Sequence, residues 1–262
     1  MAMLREILIW FVLLVFSIIN SISVALGHDT LFNISLWLSW VLVAVMTVII
    51  VVIRLFRKSI RAKYRFEQDI ADDLNLEPNA YFFQLPLYII ADQKMPVYGV
   101  EKITFTPTYF NYLHRFISLF GFSSLYSTYV ISESNEVKIV LINPFSLRYQ
   151  YNVYLNNEYI GIFEMKRLFK DKGIKQQLPY VFKSREQQYF FNNDYMSAIT
   201  TISDANDNVV FQANRSFMDF SKSSQTQQRG EKHNVTLYDS EQCIELLLAL
   251  YIQAMINKHT QK

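Results

Sequence analysis

The residue types that most often carry chemistry are few and dispersed in this sequence. The four histidines are His28, His114, His233 and His259, and no two of them have the close helical spacing of a metal site. Cys243 is the single cysteine and lies in an apolar segment, which predicts a core side chain rather than a nucleophile. Gly121 to Leu125 (GFSSL) lacks the second glycine of a nucleophile elbow. We therefore predict a non-enzymatic protein with no catalytic residue, metal site or cofactor.

Basic residues form two clusters that could contact an anionic ligand. The first cluster comprises Arg54, Arg57, Lys58, Arg61, Lys63 and Arg65. The second cluster comprises Lys166, Arg167, Lys170, Lys172 and Lys175. A basic residue close to an anionic bilayer contributes about 1 kcal/mol of binding, so the first cluster is the candidate headgroup site and the second a subsidiary one. The alternative for both is a solvated charged segment, since membrane topology alone accounts for the first.

Two apolar segments precede the first cluster. Ile7 to Gly27 and Ser35 to Ile53 carry no charge, and each matches a hydrocarbon core of ~30 Å at ~1.5 Å per helical residue. The loop between them, His28 to Ile34, is short enough to make the two helices an antiparallel hairpin. Because the basic cluster follows the second segment directly, the positive-inside rule predicts a cell-membrane protein with a cytoplasmic N-terminus and a cytoplasmic C-terminal domain.

A cleaved signal peptide is the alternative for the first apolar segment. Ser23, Val24 and Ala25 resemble a small-residue cleavage site. The charged region that should precede a signal peptide is weak, because Glu6 follows Arg5. Either alternative leaves the second segment ending in the same basic cluster.

The rest of the chain divides into a connector and a strand-rich domain. We predict a hairpin domain over residues 1–56, a basic-to-acidic connector helix over 57–79, and a barrel domain over 80–262. Alternating Tyr149, Tyr151, Val153 and Leu155, followed by Asn156-Asn157, predict a β-hairpin. Its second strand carries Gly161, which indicates a bulge or a close backbone approach. Further predicted strands are 82–90, 97–106, 125–131, 137–142, 180–183, 188–192, 196–203 and 208–212. Residues 107–120 are predicted as a helix and 221–232 as a loop.

The C-terminal segment Cys243 to Ile256 (CIELLLALYIQAMI) decides the architecture. Glu245 and Gln253 are its only polar residues apart from the thiol, and it is shorter than the twenty residues of a usual membrane span. Asp239 and Gln242 resemble a helix-capping box. A helix that is apolar on all sides must be buried on all sides, so we predict a closed antiparallel sheet around a central helix at 240–258. The alternative is a third membrane span over 237–256.

A barrel of short strands around a final apolar helix resembles the tubby C-terminal-like superfamily, which includes phospholipid scramblases and LURP-one-related proteins. Three features carry the resemblance: the hairpin YNVYLNNEYIGIFEMKRLF, the succession of short strands up to Phe217, and the terminal SEQCIELLLALYIQAMIN. It covers about 80–258 and rests on the order of elements rather than on an invariant motif. The chain departs from the family pattern because its predicted membrane anchor is an N-terminal helical hairpin. The resemblance implies lipid binding, and no family ligand motif can be placed on particular residues.

These features predict a membrane-anchored α+β protein that acts as a binding module at the cytoplasmic face. Its partners would be the membrane, an anionic phospholipid or a protein, and we predict no nucleic-acid partner, although the small net charge of +2 says little by itself. An accessory or immunity protein directed at a secreted toxin or a secretion machine is the alternative. Lipid scrambling ranks lower, because the apolar segments carry few polar residues. Composition rich in Ile, Asn and Lys is typical of a low-GC bacterium.

Overall fold

The computed structural model describes residues 2–63, 74, 76–86, 89, 91–112, 115, 125–143, 146, 148–166, 177–194, 197–216, 226, 229–238 and 243–260. The chain divides into two compact units, an N-terminal helical unit and a C-terminal barrel unit. Each unit has its own internal contacts.

The N-terminal unit is a helical hairpin. Helix α1 spans Ala2–Ala25, a 3-10 turn spans Leu31–Asn33, and helix α2 spans Leu36–Lys63. Within them, Glu6–Ala25 and Leu36–Leu55 are long and apolar enough to cross a membrane, which makes both candidate spans. Gly27 ends α1 with a φ of +80°, because a left-handed residue is needed where the amides of Gly27 and His28 bond back to the last turn.

Polar side chains join the two helices of the hairpin. Trp10 Nε1 donates to Thr47 Oγ1 at 2.9 Å, and Trp40 Nε1 donates to Ser21 Oγ at 3.1 Å. Asn20 is fully buried and its Nδ2 donates to the carbonyl of Ile34 at 3.3 Å. In an apolar solvent such bonds favour one pairing of the helices, because an unpaired polar group there is costly.

The C-terminal unit is a closed antiparallel barrel in which each strand pairs with its neighbours in sequence. The strands among the described residues are β1 (Ala80–Leu85), β2 (Met95–Tyr98), β3 (Ile103–Tyr109), β4 (Tyr126–Ile131), β5 (Glu136–Leu141), β6 (Gln150–Leu155), β7 (Glu158–Met165), β8 (Tyr180–Ser184), β9 (Gln188–Asn192), β10 (Ile199–Ser203), β11 (Val209–Arg215) and β12 (Glu231–Leu237). Strands β1 and β12 close the barrel, with Ala80 opposite Thr236 and Leu85 opposite Glu231. Closure leaves no edge strand among the twelve strands that the structure describes.

Helix α3 (Ile244–Thr260) fills the barrel. Every residue from Glu245 to Asn257 is buried, and the inward strand residues packed around the helix are large and apolar, such as Phe83, Phe105, Phe163 and Phe211. The predicted fold class, two N-terminal apolar helices followed by an antiparallel barrel around a C-terminal helix, is confirmed. The third-span alternative is wrong, because the barrel wall covers α3.

The strand connections give the barrel two different ends. One end, which we call the tight-turn end, carries the short turns that follow β2, β4, β6, β8 and β10, together with the start of α3. The opposite end, the long-connection end, carries the longer connections that follow β1, β3, β5, β7, β9 and β11, together with the end of α3. Long connections are where binding residues usually lie, because they tolerate varied sequence on a rigid scaffold.

The β6–β7 hairpin forms as its sequence predicts. Asn156 and Asn157 have φ values of 51° and 69°, as a two-residue turn of this kind requires. The pairing of β6 with β7 shifts register between Val153 and Tyr154, which marks a bulge. A Cβ atom at Gly161 would lie 2.3 Å from the carbonyl oxygen of Lys183 on β8, so glycine is needed for the close approach.

Several local predictions are wrong, in whole or in their bounds. Residues 107–109 continue β3 instead of starting a helix, whereas Tyr112 and Arg115 within the predicted helix are helical. Most of the remaining predicted helix lies outside the described residues. The strand predicted over 82–90 ends at Leu85. The single strand predicted over 97–106 is two strands, β2 and β3. The predicted loop over 221–232 ends too late, because β12 begins at Glu231 and was not predicted as a strand. The predicted capping box at 239–242 lies outside the described residues.

Candidate functional site

A hydrogen-bonded network fills the barrel beside the last turns of α3. Asn257 Oδ1 accepts hydrogen bonds from Tyr151 Oη at 2.8 Å and from Gln253 Nε2 at 2.9 Å. Asn257 Nδ2 donates to Tyr180 Oη at 3.0 Å, and Gln253 Nε2 also donates to the carbonyl of Tyr126 at 2.9 Å. Burial raises the pKa of Tyr151 and of Tyr180, so both hydroxyls stay neutral, the first as a donor to Asn257 and the second as an acceptor from it. The network ties α3 to β4, β6 and β8.

Glu231 is the centre of an ion cluster beside this network. Arg215 Nη1 lies 3.0 Å from one carboxylate oxygen of Glu231, His259 Nε2 lies 2.8 Å from the other, and Lys258 Nζ lies 3.9 Å away. Arg215 also donates to Gln177 and to the carbonyl of Ser197. Burial disfavours the charged carboxylate, but the hydrogen bond with His259 and the charge of Lys258 outweigh it and hold the pKa of Glu231 well below its usual range.

His233 is enclosed deeper in the same region. Its ring stacks on Phe83 at a centroid distance of 4.5 Å, and its Nδ1 lies 3.0 Å from Tyr251 Oη. Its Nε2 makes no hydrogen bond within the described part of the chain. Burial lowers the pKa of His233 to about 3 against the attraction of Glu231, so the imidazole is neutral. A sealed neutral imidazole beside a carboxylate held in ion pairs fits a structural role better than proton transfer to a ligand.

A smaller polar contact fixes the start of α3 at the tight-turn end. Glu245 Oε1 accepts hydrogen bonds from Ser132 Oγ at 2.6 Å and from Asn135 Nδ2 at 3.2 Å. Burial opposes the charged carboxylate, but these hydrogen bonds lower the pKa of Glu245 overall. Burial also raises the pKa of the half-buried Cys243 thiol to about 11, so the thiol is not activated as a nucleophile.

The outside of the long-connection end is basic. Its basic side chains on described residues are Lys94, Arg115, Arg148, Lys166, Arg229 and Lys232. The exposed acidic residues described there are Asp92 and Asp194. Arg148 and Arg229 are exposed and stand on connections from opposite parts of the barrel. This excess of positive charge makes the long-connection end the candidate surface for an anionic ligand.

The structure describes only part of the two predicted basic clusters. Arg54 and Lys58 are exposed on α2, one helical turn apart, and α2 continues to Lys63. Of the second cluster, Lys166 lies on the barrel, where its Nζ donates to the carbonyl of Phe191 at 3.0 Å. The side chains of Arg57, Arg61 and Lys63, and all of Arg65, Arg167, Lys170, Lys172 and Lys175, lie outside the described residues. Both clusters therefore stay predictions.

Sequence reasoning missed the internal ion cluster. The histidines that look dispersed in sequence include two, His233 and His259, that lie near the same carboxylate of Glu231. The sequence signal for β12 is an alternation in which every second residue faces inward: Glu231, His233, Val235 and Leu237. Its first two inward residues are polar, so the segment does not have the apolar alternation by which a strand is predicted. Among the described residues, no group of three or more histidine, cysteine or carboxylate side chains is arranged to hold a metal ion.

Comparison of the chain with protein-family models, curated proteins and solved structures gives no match. What the fold defines by itself is a class: a closed antiparallel barrel around a helix, preceded by two candidate membrane spans.

Removing the Glu231 carboxylate should destabilise the barrel strongly. Glu231→Gln leaves Arg215 buried with less compensation, which we expect to cost about 3 kcal/mol of unfolding free energy at neutral pH. The pKa of Glu231 is lower in the folded protein than in the unfolded chain. The stabilisation by Glu231 is therefore present above about pH 4.5 and is lost as the pH falls further. Denaturant unfolding of the full chain in detergent at several pH values measures both effects.

Glu164→Gln is the matched control for Glu231→Gln. Glu164 forms an ion pair of 2.7 Å with Lys183 on the outer wall, where solvent reaches both groups. We expect its removal to cost no more than about 1 kcal/mol. Equal losses in the two variants would contradict a structural role for the internal cluster.

His233→Gln should make stability less dependent on pH. The folded pKa of about 3 lies below the unfolded value of 6.5, so wild-type stability falls as the pH drops through 6.5. Between about pH 7.5 and pH 5.5 the wild type should lose about 1.4 kcal/mol more than the variant. Asn234→Gln, which changes the outward-facing neighbour and no titratable group, should behave as the wild type in the same denaturant titrations. If the stability of His233→Gln depended on pH as strongly as that of the wild type, the assignment of His233 as a buried neutral imidazole would be wrong.

Proposed function

We propose that the chain is a non-enzymatic binding module, tethered to the cytoplasmic face of the cell membrane, whose barrel recognises anionic lipid headgroups. The observation that carries this proposal is the charge of the long-connection end. Exposed Lys94, Arg115, Arg148 and Arg229 stand there on connections from around the barrel. Multivalent contact with phosphate groups needs basic side chains spread over one surface.

The filled lumen supports binding on the outside of the barrel. In many barrels a ligand occupies the interior, but α3 occupies it here, and its residues from Glu245 to Asn257 are buried. A ligand that met the protein with α3 in place would contact the wall or the ends. A tether raises the effective concentration of a weak site at the bilayer, so a shallow basic surface could suffice.

The positive-inside rule supports the cytoplasmic orientation. Arg54 lies at the end of the second candidate span and Lys58 follows it, whereas the loop between the spans has no lysine or arginine. These two exposed cations could also contact headgroups where α2 leaves the membrane. The barrel-around-helix architecture supports a relationship to the tubby C-terminal-like superfamily, which would be consistent with lipid recognition.

The proposed orientation predicts which positions an impermeant thiol reagent reaches in intact cells. In a Cys243→Ser background, cysteine at Thr30 in the interhelical loop should label, and cysteine at Asn206 in the exposed β10–β11 turn should label only after permeabilisation. The reason is that the two positions would lie on opposite sides of the membrane. Labelling at position 206 in intact cells would contradict the cytoplasmic orientation.

Vesicle flotation tests headgroup recognition by the barrel. Residues 64–262, checked for folding by circular dichroism, should float with phosphatidylcholine vesicles that contain phosphatidylglycerol and not with phosphatidylcholine alone. The combined change Lys94→Gln, Arg148→Gln and Arg229→Gln should weaken binding by about 1 kcal/mol for each charge, and high salt should do the same.

The matched control carries the same charge change at the tight-turn end. Lys102→Gln, Lys183→Gln and Arg185→Gln remove three exposed cations from the opposite part of the barrel. This variant should float as well as the wild type. Equal loss in the two triple variants would show a response to net charge and would count against a site at the long-connection end.

A further inference from the structure

A row of tyrosines crosses the outer wall of the barrel near the tight-turn end. Tyr129 on β4 pairs with Lys138 on β5, Lys138 pairs with Tyr154 on β6, and Tyr154 pairs with Tyr159 on β7. The rings of Tyr154 and Tyr159 meet edge to face at 5.8 Å. Tyr159 is 55% exposed, and Ile131 extends the surface on β4. We call Tyr129, Tyr154 and Tyr159 the tyrosine row.

The tyrosine row has the composition of a protein-binding surface. Tyrosine supplies a large contact area at low conformational cost, and it is enriched where interfaces concentrate their binding energy. The solvated face of an antiparallel sheet would instead carry mostly polar side chains. The three tyrosines stand on β4, β6 and β7, which with β5 are neighbouring strands of the closed barrel, so the rings are held on a rigid base.

Charge complementarity selects the partner. Acidic residues lie at the neighbouring turns: Glu133 and Glu136 belong to the β4–β5 hairpin, and the exposed Glu158 precedes Tyr159. Lys138 lies between Tyr129 and Tyr154 in the strand register. Lys138 Nζ lies 3.3 Å from Glu136 and 5.9 Å from the centre of the Tyr129 ring. Lys138 thus already lies beside a tyrosine ring face and a carboxylate. A partner's cation would take the same kind of position over the Tyr159 ring.

We propose that the tyrosine row and its bordering carboxylates bind a segment of a partner protein rich in arginine and lysine. Arginine suits the surface best, because its planar guanidinium stacks on tyrosine and pairs with carboxylates. Cytoplasmic loops of membrane proteins carry such residues by the positive-inside rule, so a neighbouring membrane protein is the kind of partner that fits. The choice of a neighbouring membrane protein rests on the proposed cytoplasmic orientation. The argument from the chemistry of the surface does not depend on that orientation.

The test uses the full chain in nanodiscs of phosphatidylcholine, which contain no anionic lipid. Fluorescein-labelled hexa-arginine should bind, and labelled hexa-glutamate should not, as measured by fluorescence anisotropy. Tyr159→Ala should weaken hexa-arginine binding about two- to fivefold, and Tyr159→Phe should retain it, because the ring face and not the hydroxyl makes the contact. Glu136→Gln combined with Glu158→Gln should weaken binding and reduce its dependence on salt.

Tyr238→Ala is the matched control. Tyr238 is 57% exposed on another part of the barrel, so the two alanine variants remove the same side chain at nearly equal exposure. Hexa-arginine affinity should be unchanged in Tyr238→Ala. Absence of hexa-arginine binding to the wild type, or equal losses in Tyr159→Ala and Tyr238→Ala, would overturn the proposal.

The result is separable from that of the headgroup test. Lys94→Gln, Arg148→Gln and Arg229→Gln together should leave hexa-arginine binding intact, and Tyr159→Ala should leave flotation of residues 64–262 with anionic vesicles intact. If Tyr159→Ala reduced flotation and not peptide binding, the tyrosine row would contact the bilayer, and the proposed basic partner would be wrong. If only the flotation experiment failed, the headgroup proposal would be wrong and the tyrosine-row proposal would be unaffected.

Discussion

The burial of α3 inside a closed sheet is the constraint on which the barrel depends. Apolar burial is not directional, and a helix whose first half is the apolar run Leu246 to Leu250 has almost the same surface there in every direction. Burial alone would therefore permit many rotations and axial positions of the helix. Polar contacts remove this freedom, because each one can form in a single arrangement and is costly to leave unmade. Glu245 fixes the start of the helix, and Gln253 and Asn257 fix its last turns.

The same contacts couple barrel closure to the position of the helix. Strand β12 carries Glu231 and His233, the first bonded to His259 and the second to Tyr251, and β12 is also the strand that pairs with β1 to close the sheet. A displaced α3 would leave the buried Glu231 carboxylate with fewer compensating groups at the seam between the first and last strands. Because an unpaired buried charge is expensive, closure and helix placement should be lost together rather than one at a time.

Sequence patterns could predict the large elements because their signals are strong. The apolar lengths of α1 and α2, the all-round apolarity of α3 and the paired asparagines at 156–157 each favour one local structure. Strand β12 could not be predicted from the sequence, for a physical reason. Its inward positions begin with Glu231 and His233, whose partners Arg215 and His259 lie far away in sequence, so their burial follows only from the fold. The tyrosine row was hidden likewise, since it exists only once four strands are in register.

Closure also limits the ways in which this protein can bind anything. The described strands offer no free edge to which a partner could add a strand, and α3 occupies the lumen that holds the ligand in many barrels. Recognition is left to the two ends and the outer wall, where side chains and not backbone groups make the contacts. Charge is unevenly distributed between those regions, with cations around the long connections and carboxylates beside the tyrosine row. At physiological ionic strength exposed charges act over about 8 Å, so two such surfaces on one barrel can act without cancelling each other.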